Sequence, residues 1–155
     1  MLQQGLFAFT RKLAQVLDAD RASLFLVEGG LLRLAVAENL DELGDVRFPV
    51  GTGIAGTVAE TGDTIRIEDA YGDPRFNREV DRRTGYRTRS ILCLPITDRA
   101  GRLFAVAQLL NRRDGQPFSA EDEERFAGFI ESIGVIFESL EVLGSSRIRA
   151  HGGGP

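Results

Sequence analysis

The strongest constraint on the fold of this chain is a pair of apolar segments, residues 90–96 and 103–110. A turn sequence, residues 98–101, lies between them, and two such runs around a short glycine-containing turn are typical of a β-hairpin. Short continuous apolar runs are also typical of strands that are buried on both faces. We therefore expect this hairpin at the centre of a sheet.

The rest of the chain supplies a second hairpin, two further strands and three helices. Residues 22–28 and 31–37 flank Gly29-Gly30, a pair that favours a two-residue hairpin turn. Apolar residues recur at steps of three and four in residues 2–18 and from Ser119 to about residue 143, which predicts amphipathic helices. The remaining elements are short and comprise strands at 46–50 and 64–67 and a helix at 57–61.

This order of elements predicts one α+β domain, residues 1–145, and a flexible tail, residues 146–155. We expect a central, mostly antiparallel sheet of about six strands, with the terminal helices on one face. The other face would carry the short helix and a long connection, residues 69–88, with a ligand pocket under the connection. A connection of about twenty residues is long for a small domain and is typical of a lid or a binding loop.

The long connection has the composition of an ordered lid. Its apolar anchors are Tyr71, Phe76, Val80 and Tyr86. Asp81, Thr84 and Thr88 follow one another at spacings of three and four, which would align their polar side chains if the segment formed a short helical turn. We therefore expect this segment to close over a small ligand held against the sheet.

Charge and hydropathy argue against two classes of partner. The net charge is −4, whereas a protein that neutralises phosphates needs clustered excess Lys and Arg, so nucleic acid is not expected. No apolar run reaches the roughly eighteen to twenty residues of a membrane span, and no charged-then-apolar leader opens the chain. The sequence is therefore interpreted as cytoplasmic, with no membrane partner.

The cysteine and histidine inventory argues against catalysis and metal binding. Cys93 is the only cysteine and His151 the only histidine, so no intrachain disulfide, CxxC metal pair or serine triad is available. Cys93 lies in the apolar run 91–94, where a buried inert thiol is favoured over a nucleophile. We expect no enzymatic activity and no metal site.

The glycine-rich segment 51–56 leads into the short helix and exposes backbone N–H groups at the positive end of a helix dipole. These N–H groups are suited to bind one phosphate. The segment matches neither a P-loop nor the dinucleotide-binding glycine pattern. A tight turn before a helix is the alternative interpretation, and the glycines alone do not separate the two.

Gln108 interrupts the second central strand on the same face as Phe104 and Val106. A buried amide costs free energy unless it is paired. Either a ligand edge or a neighbouring backbone carbonyl would satisfy it, and both alternatives stay open from the sequence.

At this point the chain resembles a GAF domain, of the branch found in cyclic-nucleotide phosphodiesterases and bacterial cyclases, with a GAF/PAS-like fold over about residues 5–143. The most specific match is to that branch's Asn-Lys-x(n)-Phe-x(3)-Asp-Glu motif, with Arg in place of Lys. The matching residues are Asn111, Arg112, Phe118, Asp122 and Glu123. Residues 53–56, 69–71 and 84–93 resemble the same branch.

The resemblance implies a cyclic-nucleotide site. The implied ligand-binding residues are Ser23, Ala37, Glu38, Ile54, Ala55, Asp81, Thr84, Thr88 and Gln108. The backbone N–H groups near Ile54 and Ala55 would hold the cyclic phosphate, in agreement with the helix-terminus argument. An ion pair between Arg112 and Asp122 would brace the pocket from outside without touching ligand.

Two positions depart from the pattern of a cyclic-GMP-binding member. Ala37 followed by Glu38 stands where such a member has a base-stacking aromatic followed by Asp, and Gln108 stands in place of a Glu. Loss of the aromatic would cost roughly 1–3 kcal/mol if base stacking behaves as in single-strand binding. Gln108 both donates and accepts hydrogen bonds, so it is able to face either purine. The weakened acidic readout of guanine slightly favours cAMP over cGMP.

The function predicted first is a regulatory sensor: a bound cyclic nucleotide, cAMP or cGMP, orders the lid, and the terminal helices pass the change to an output domain outside this chain. The alternative is a dimerisation module with no nucleotide or a different small ligand, because both terminal helices carry the spacing of a coiled-coil seam. We expect a homodimer through these helices. Some GAF-like proteins reduce free methionine sulfoxide and others bind bilin or haem, but the needed cysteines or ligands are lacking here. No cofactor is expected beyond the bound nucleotide.

Overall fold

A computed structural model of the chain describes residues 2–37 and 44–131. The strands are β1 (Ala19–Glu28), β2 (Leu31–Ala37), β3 (Arg47–Pro49), β4 (Ile65–Ile67), β5 (Ile91–Thr97) and β6 (Leu103–Arg112). They form one six-stranded sheet in the order β3-β2-β1-β6-β5-β4. Every neighbouring pair is antiparallel, so the predicted α+β architecture is confirmed. The predicted central hairpin is β5–β6, with β6 in the middle of the sheet and β5 beside it.

The helices lie on the two faces of this sheet as predicted. They are α1 (Leu2–Val16), α2 (Gly53–Thr61), a 3-10 turn (Ala70–Gly72), α3 (Glu79–Thr84) and α4, described over residues 120–131. Residues of α1 and α4 share one buried cluster with the first sheet face. Residues of α2 and the 3-10 turn share a second cluster with the opposite face. The sheet is therefore buried on both sides, which explains why its central strands are almost wholly apolar.

The first cluster accounts for the apolar stripes of the terminal helices. Leu13 and Leu17 at the first helix and Phe126 and Ile130 on α4 are nearly inaccessible and pack against the sheet. Phe9 and Phe129 also stack on each other, with ring centroids 5.5 Å apart. The four nearly inaccessible positions of the predicted coiled-coil seam are thus covered by the domain's own sheet, whereas Val16 is 45% exposed. Phe137, the predicted helix end near residue 143 and the tail at 146–155 lie outside the described residues.

The start of α4 is fixed by a reciprocal cap. The backbone N–H of Asp122 donates to Ser119 Oγ at 3.1 Å, and the Ser119 N–H donates to Asp122 Oδ2 at 2.8 Å. Two backbone N–H groups near the helix start are satisfied in this way. The predicted N-cap at Ser119 is confirmed.

The glycine-rich segment differs from its prediction, because α2 begins at Gly53 rather than at residue 57. Gly53 has φ +70°, a conformation that glycine adopts at little cost. A Cβ on Gly56 would lie 3.2 Å from both Gly51 N and Pro49 O, so any larger residue here would require the neighbouring backbone to shift. The glycines therefore form the first turn of the helix and its contact with the end of β3.

The long connection is less irregular than predicted, since it contains the 3-10 turn and α3. The expectation that one helical turn aligns Asp81, Thr84 and Thr88 was wrong in part. α3 ends at Gly85, which has φ +76° and donates its N–H to Asp81 O, so Thr88 lies beyond the helix. Among the described residues, no helix combines the length and apolar character that crossing a membrane requires.

Candidate functional site

A cavity of about 280 Å³ lies between the sheet, α2 and the connection at residues 69–88, which we call the lid. Its volume is close to the roughly 300 Å³ at which small-molecule sites begin. Apolar atoms supply most of its wall, and a few polar side chains converge on it, as is typical of ligand sites. The predicted residues that line it are Ser23, Ala37, Ile54, Ala55, Asp81, Thr88 and Gln108. The structure thus brings together residues from five separate segments of the chain.

The floor of the cavity is a row of side chains that crosses the sheet. Ser23 on β1 pairs with Ala37 on β2 and with Gln108 on β6, and Gln108 pairs with Cys93 on β5. Ser23 and Gln108 are half-buried, and within the described ranges no residue forms a hydrogen bond with either side chain. Of the two alternatives for Gln108, a backbone carbonyl is not supported, because no carbonyl of residues 2–37 or 44–131 accepts a hydrogen bond from the amide. Its amide is directed to the cavity wall, where a ligand edge has access to it.

Cys93 lies in the same row but takes no part in the cavity wall. Its side chain is fully buried in the second cluster, and burial raises the pKa of the thiol far above its usual value. A thiol in that state is neutral and unreactive at neutral pH. The structural role predicted for Cys93 agrees with its placement.

The start of α2 forms one wall of the cavity. Thr52, Gly53, Ile54 and Ala55 all line it, and the Thr52 side chain does not cap the helix. The Thr52 N–H is taken by Pro49 O at 3.1 Å, and among the described residues no acceptor is found for the next three N–H groups of the helix. Free N–H groups at a helix start attract anions because the helix dipole adds to their own partial charge.

The lid is held together internally by Asp81, whose side chain is 7% exposed. Oδ2 accepts hydrogen bonds from the Tyr71 hydroxyl and from the Thr88 N–H, both at 2.8 Å, and Oδ1 accepts one from Thr88 Oγ1 at 2.9 Å. These bonds join the beginning, middle and end of the lid. A carboxylate with three donors is well satisfied without ligand.

Among the described residues that were predicted for the site, Thr84 does not line the cavity. The Thr84 hydroxyl donates to Val80 O at 2.8 Å and accepts from the Tyr86 N–H at 3.3 Å, so it belongs to the end of α3. Glu38 lies outside the described residues.

Asn111 and Tyr86 form a brace at the exit of the lid. Asn111 has φ +56°, and its Oδ1 accepts from the N–H groups of Arg89 and Ser90 at 2.7 and 3.0 Å. Its Nδ2 donates to the Tyr86 hydroxyl at 3.0 Å and to Arg87 O at 2.9 Å. The Tyr86 hydroxyl donates to Asp20 Oδ2 at 2.6 Å, and burial together with this carboxylate raises the pKa of Tyr86.

The Arg112–Asp122 ion pair lies away from the cavity, at the other side of the sheet end. Arg112 Nη1 is 3.2 Å from Asp122 Oδ2 and also donates to Pro117 O at 3.3 Å, while Nη2 reaches Asp114. Neither residue lines the cavity. The pair ties the end of β6 to the start of α4, the helix that Phe118 anchors at 1% exposure.

Sequence reasoning missed several residues of the cavity wall. They are Arg21, Arg47, Phe48, Asn77, Glu79, Arg83 and Leu110, among others. Phe76 and Tyr86 had been predicted only as apolar anchors of the lid, yet both line the cavity. The signal for Arg21 was present, because it lies two residues before Ser23 on the same strand and hence on the same face. For Phe48 and Asn77 no sequence pattern indicates a place in the wall.

The class to which this molecule belongs follows from the antiparallel sheet, the lid over one face and the terminal helices on the other. A family model of the GAF domain matches residues 2–137, so the chain is a GAF domain, a regulatory domain. The family predicted from the sequence is confirmed.

The curated relatives include two phosphodiesterases. The chain is 39% identical over 150 residues to the dual 3′,5′-cyclic-AMP and -GMP phosphodiesterase 11 of Drosophila melanogaster. The aligned region covers 86% of this chain and 10% of that protein. The chain is also 39% identical over 145 residues to phosphodiesterase 11A of Takifugu rubripes, described by the same dual specificity, with 85% of this chain and 16% of that protein covered. The chain therefore spans a small part of the length of these relatives.

Solved structures show the same fold. The GAF domain of a phosphoenolpyruvate-protein phosphotransferase from Coxiella burnetii superposes with a TM-score of 0.73 at 24% identity, covering 98% of this chain and 86% of that chain. At that identity the likeness concerns the fold alone.

Proposed function

We propose that this domain binds a cyclic purine nucleotide in the cavity under the lid and acts as a regulatory sensor. The observation that carries the proposal is the convergence, on one cavity, of an uncapped helix start and of two polar side chains without a described partner, Ser23 and Gln108. The helix start is suited to the cyclic phosphate and Gln108 to a purine edge. The dual cyclic-nucleotide specificity in the names of the two phosphodiesterase relatives supports the same ligand class.

The charges around the cavity suit an anion. Three arginines, Arg21, Arg47 and Arg83, line it together with Glu79 and Asp81. Asp81 is already engaged by three donors within the lid, and Arg47 lies 3.0 Å from Asp45. Arg21 and Arg83 form no hydrogen bond or ion pair with any described residue, so their charge is available to a phosphate or a polar base edge.

The preference for cAMP over cGMP rests on Gln108. Because its amide presents both a donor and an acceptor, it pairs with either purine, whereas a carboxylate at this position would accept only and would favour guanine. We also propose that the domain acts in the cytoplasm and is coupled to an output domain. It would form a homodimer through its terminal helices. We infer that the domain binds its ligand without transforming it.

Calorimetric titration of the purified domain with cAMP, cGMP and 5′-AMP tests the proposal. We expect binding of both cyclic nucleotides, tighter for cAMP, and weaker binding of 5′-AMP. Gln108→Glu should shift the ratio of the two affinities toward cGMP, and Thr88→Ala should weaken both. Thr84→Ala is the matched control, because the structure places that hydroxyl in α3. Absence of heat with either cyclic nucleotide at millimolar concentration would overturn the proposal.

A further inference from the structure

The cavity lacks an aromatic side chain at Ala37, and Arg21 lies beside the gap. Ser23 is directly opposite Ala37, so Arg21, two residues earlier on β1, is a diagonal neighbour of Ala37 on the same face of the sheet. A diagonal separation of about 7–8 Å is within the reach of an arginine side chain. Both residues line the cavity.

The guanidinium of Arg21 lies over the ring of Tyr86. Its Cζ lies 3.9 Å from the centroid of the Tyr86 ring, the shortest such contact among the described residues. Tyr86 is itself fixed, because its hydroxyl donates to Asp20 at 2.6 Å and accepts from Asn111 at 3.0 Å. An arginine that already packs against a fixed ring loses less side-chain entropy on binding than one that rotates freely.

The hydrogen-bonding groups and one face of this guanidinium remain for a ligand. No described residue accepts a hydrogen bond from Arg21, although its side chain is half-buried in the cavity wall. A guanidinium is planar and delocalised, and it stacks on flat π-systems as well as it binds anions. A purine has such a π-face.

We propose that Arg21, backed by Tyr86, is the stacking platform for the purine ring, in place of an aromatic residue at position 37. The inference rests on the proposed function, since it assigns a specificity-determining residue in the same cavity. The stack is Tyr86, then the Arg21 guanidinium, then the base. It leaves the N–H groups at the start of α2 for the phosphate.

Affinities for cAMP and cGMP, measured by calorimetry on four variants, test the platform. Arg21→Ala should weaken the binding of both by about tenfold, within the range of cation–π and base-stacking contributions. Arg21→Lys keeps the charge and the aliphatic stem but loses the plane, and it should lose nearly as much. The double variant Arg21→Ala with Ala37→Phe should recover most of the affinity, because an aromatic ring then fills the gap.

Arg11→Ala is the matched control. Arg11 also lies over an aromatic ring, 5.9 Å from the centroid of Phe7, but it is on α1 and outside the cavity wall, so its removal should leave both affinities unchanged. Circular dichroism on each variant verifies the fold. Full binding by Arg21→Lys would mean that Arg21 acts only as a charge and would overturn the inference, as would unchanged binding by Arg21→Ala or no recovery in the double variant. Failure of the unsubstituted domain to bind either nucleotide would instead overturn the proposed function.

Discussion

At the scale of single residues, Asp81 shows how much of the lid depends on one carboxylate. Asp81→Ala leaves the buried Thr88 N–H and hydroxyl without an acceptor, and each unsatisfied group costs about 1–3 kcal/mol. We expect the free energy of unfolding in urea to fall by about 2–4 kcal/mol. Asp81→Asn should cost less than about 1 kcal/mol, because the amide oxygen still accepts at the Oδ2 position and the NH2 donates to the Thr88 hydroxyl.

Asp63→Ala is the control for this series, since Asp63 is exposed and surface substitutions change stability by within about 0.5 kcal/mol. Equal losses for the Ala variants of Asp81 and Asp63 would show that the lid hydrogen bonds do not contribute to stability.

Ionisation of Tyr86 makes the free energy of unfolding depend on pH in the alkaline range. Its pKa is raised in the folded state, first by burial and then by the hydrogen bond to Asp20. In the unfolded chain a tyrosine ionises near pH 10, so above that pH the folded state retains a proton that the unfolded state has lost. Stability should therefore be unaffected by this group below about pH 9 and should fall as pH rises through 10 and beyond.

Tyr86→Phe removes the titrating group and should flatten the fall in unfolding free energy between about pH 9.5 and pH 11.5, measured in urea at fixed ionic strength. Tyr71→Phe is the variant for comparison. The pKa of Tyr71 is also raised, but its hydroxyl donates a hydrogen bond to Asp81 rather than to Asp20. An identical pH profile for the unsubstituted domain and Tyr86→Phe would contradict the assignment.

At the scale of elements, Asn111 determines how the exit of the lid meets β6. Asn111→Gly retains the left-handed backbone at little strain but loses all four side-chain hydrogen bonds to residues 86–90. At roughly 0.5–1.5 kcal/mol for each of the four bonds, we expect a loss of about 2–6 kcal/mol. Hydrogen exchange should show faster exchange at the Arg89 and Ser90 amides than at β1 amides. Uniform acceleration across the sheet would contradict a local brace.

The elements themselves were well predicted by sequence, but their ends were not. Hydrophobic periodicity placed both hairpins and both terminal helices, because burial on a fixed face repeats along the chain. Periodicity carries no information on the first turn of α2, where Gly53 and Gly56 are required by backbone geometry rather than by side-chain burial. Likewise the spacing of Asp81, Thr84 and Thr88 suggested one helix, whereas Gly85 ends α3 and Thr88 reaches Asp81 by a turn of the chain.

The residues that line the cavity were predicted from the sequence only in part. Gln108 was predictable, because a polar residue in an apolar strand stands out from its neighbours, whereas Ser23 was identified through the family resemblance. Phe48 did not stand out, since a phenylalanine in an edge strand is common, and Arg21 is marked only by its place two residues before Ser23 on the same strand face. Their place in the cavity depends on the cross-strand register and on the fold of the lid, which appear only in three dimensions.

At the scale of the whole molecule, the sheet separates two cores, and Phe126 belongs to the one under the terminal helices. Its side chain is 0% exposed, so Phe126→Ala should reduce the free energy of unfolding by about 3–5 kcal/mol. The mass by sedimentation should not change, because this residue packs on its own sheet. Phe7→Ala, at a position 43% exposed, should change stability far less and is the matched control. A lower mass without destabilisation in Phe126→Ala would place this residue in a subunit contact instead.

Asn111 and Arg112 are adjacent in the chain and couple the lid to the start of α4. Asn111 holds the end of the lid, and Arg112, the very next residue, pairs with Asp122 near the start of α4. One peptide unit therefore joins these two sets of contacts. Under the proposed function, a ligand that displaces the lid and breaks the Asn111 hydrogen bonds would also disturb the Arg112–Asp122 ion pair.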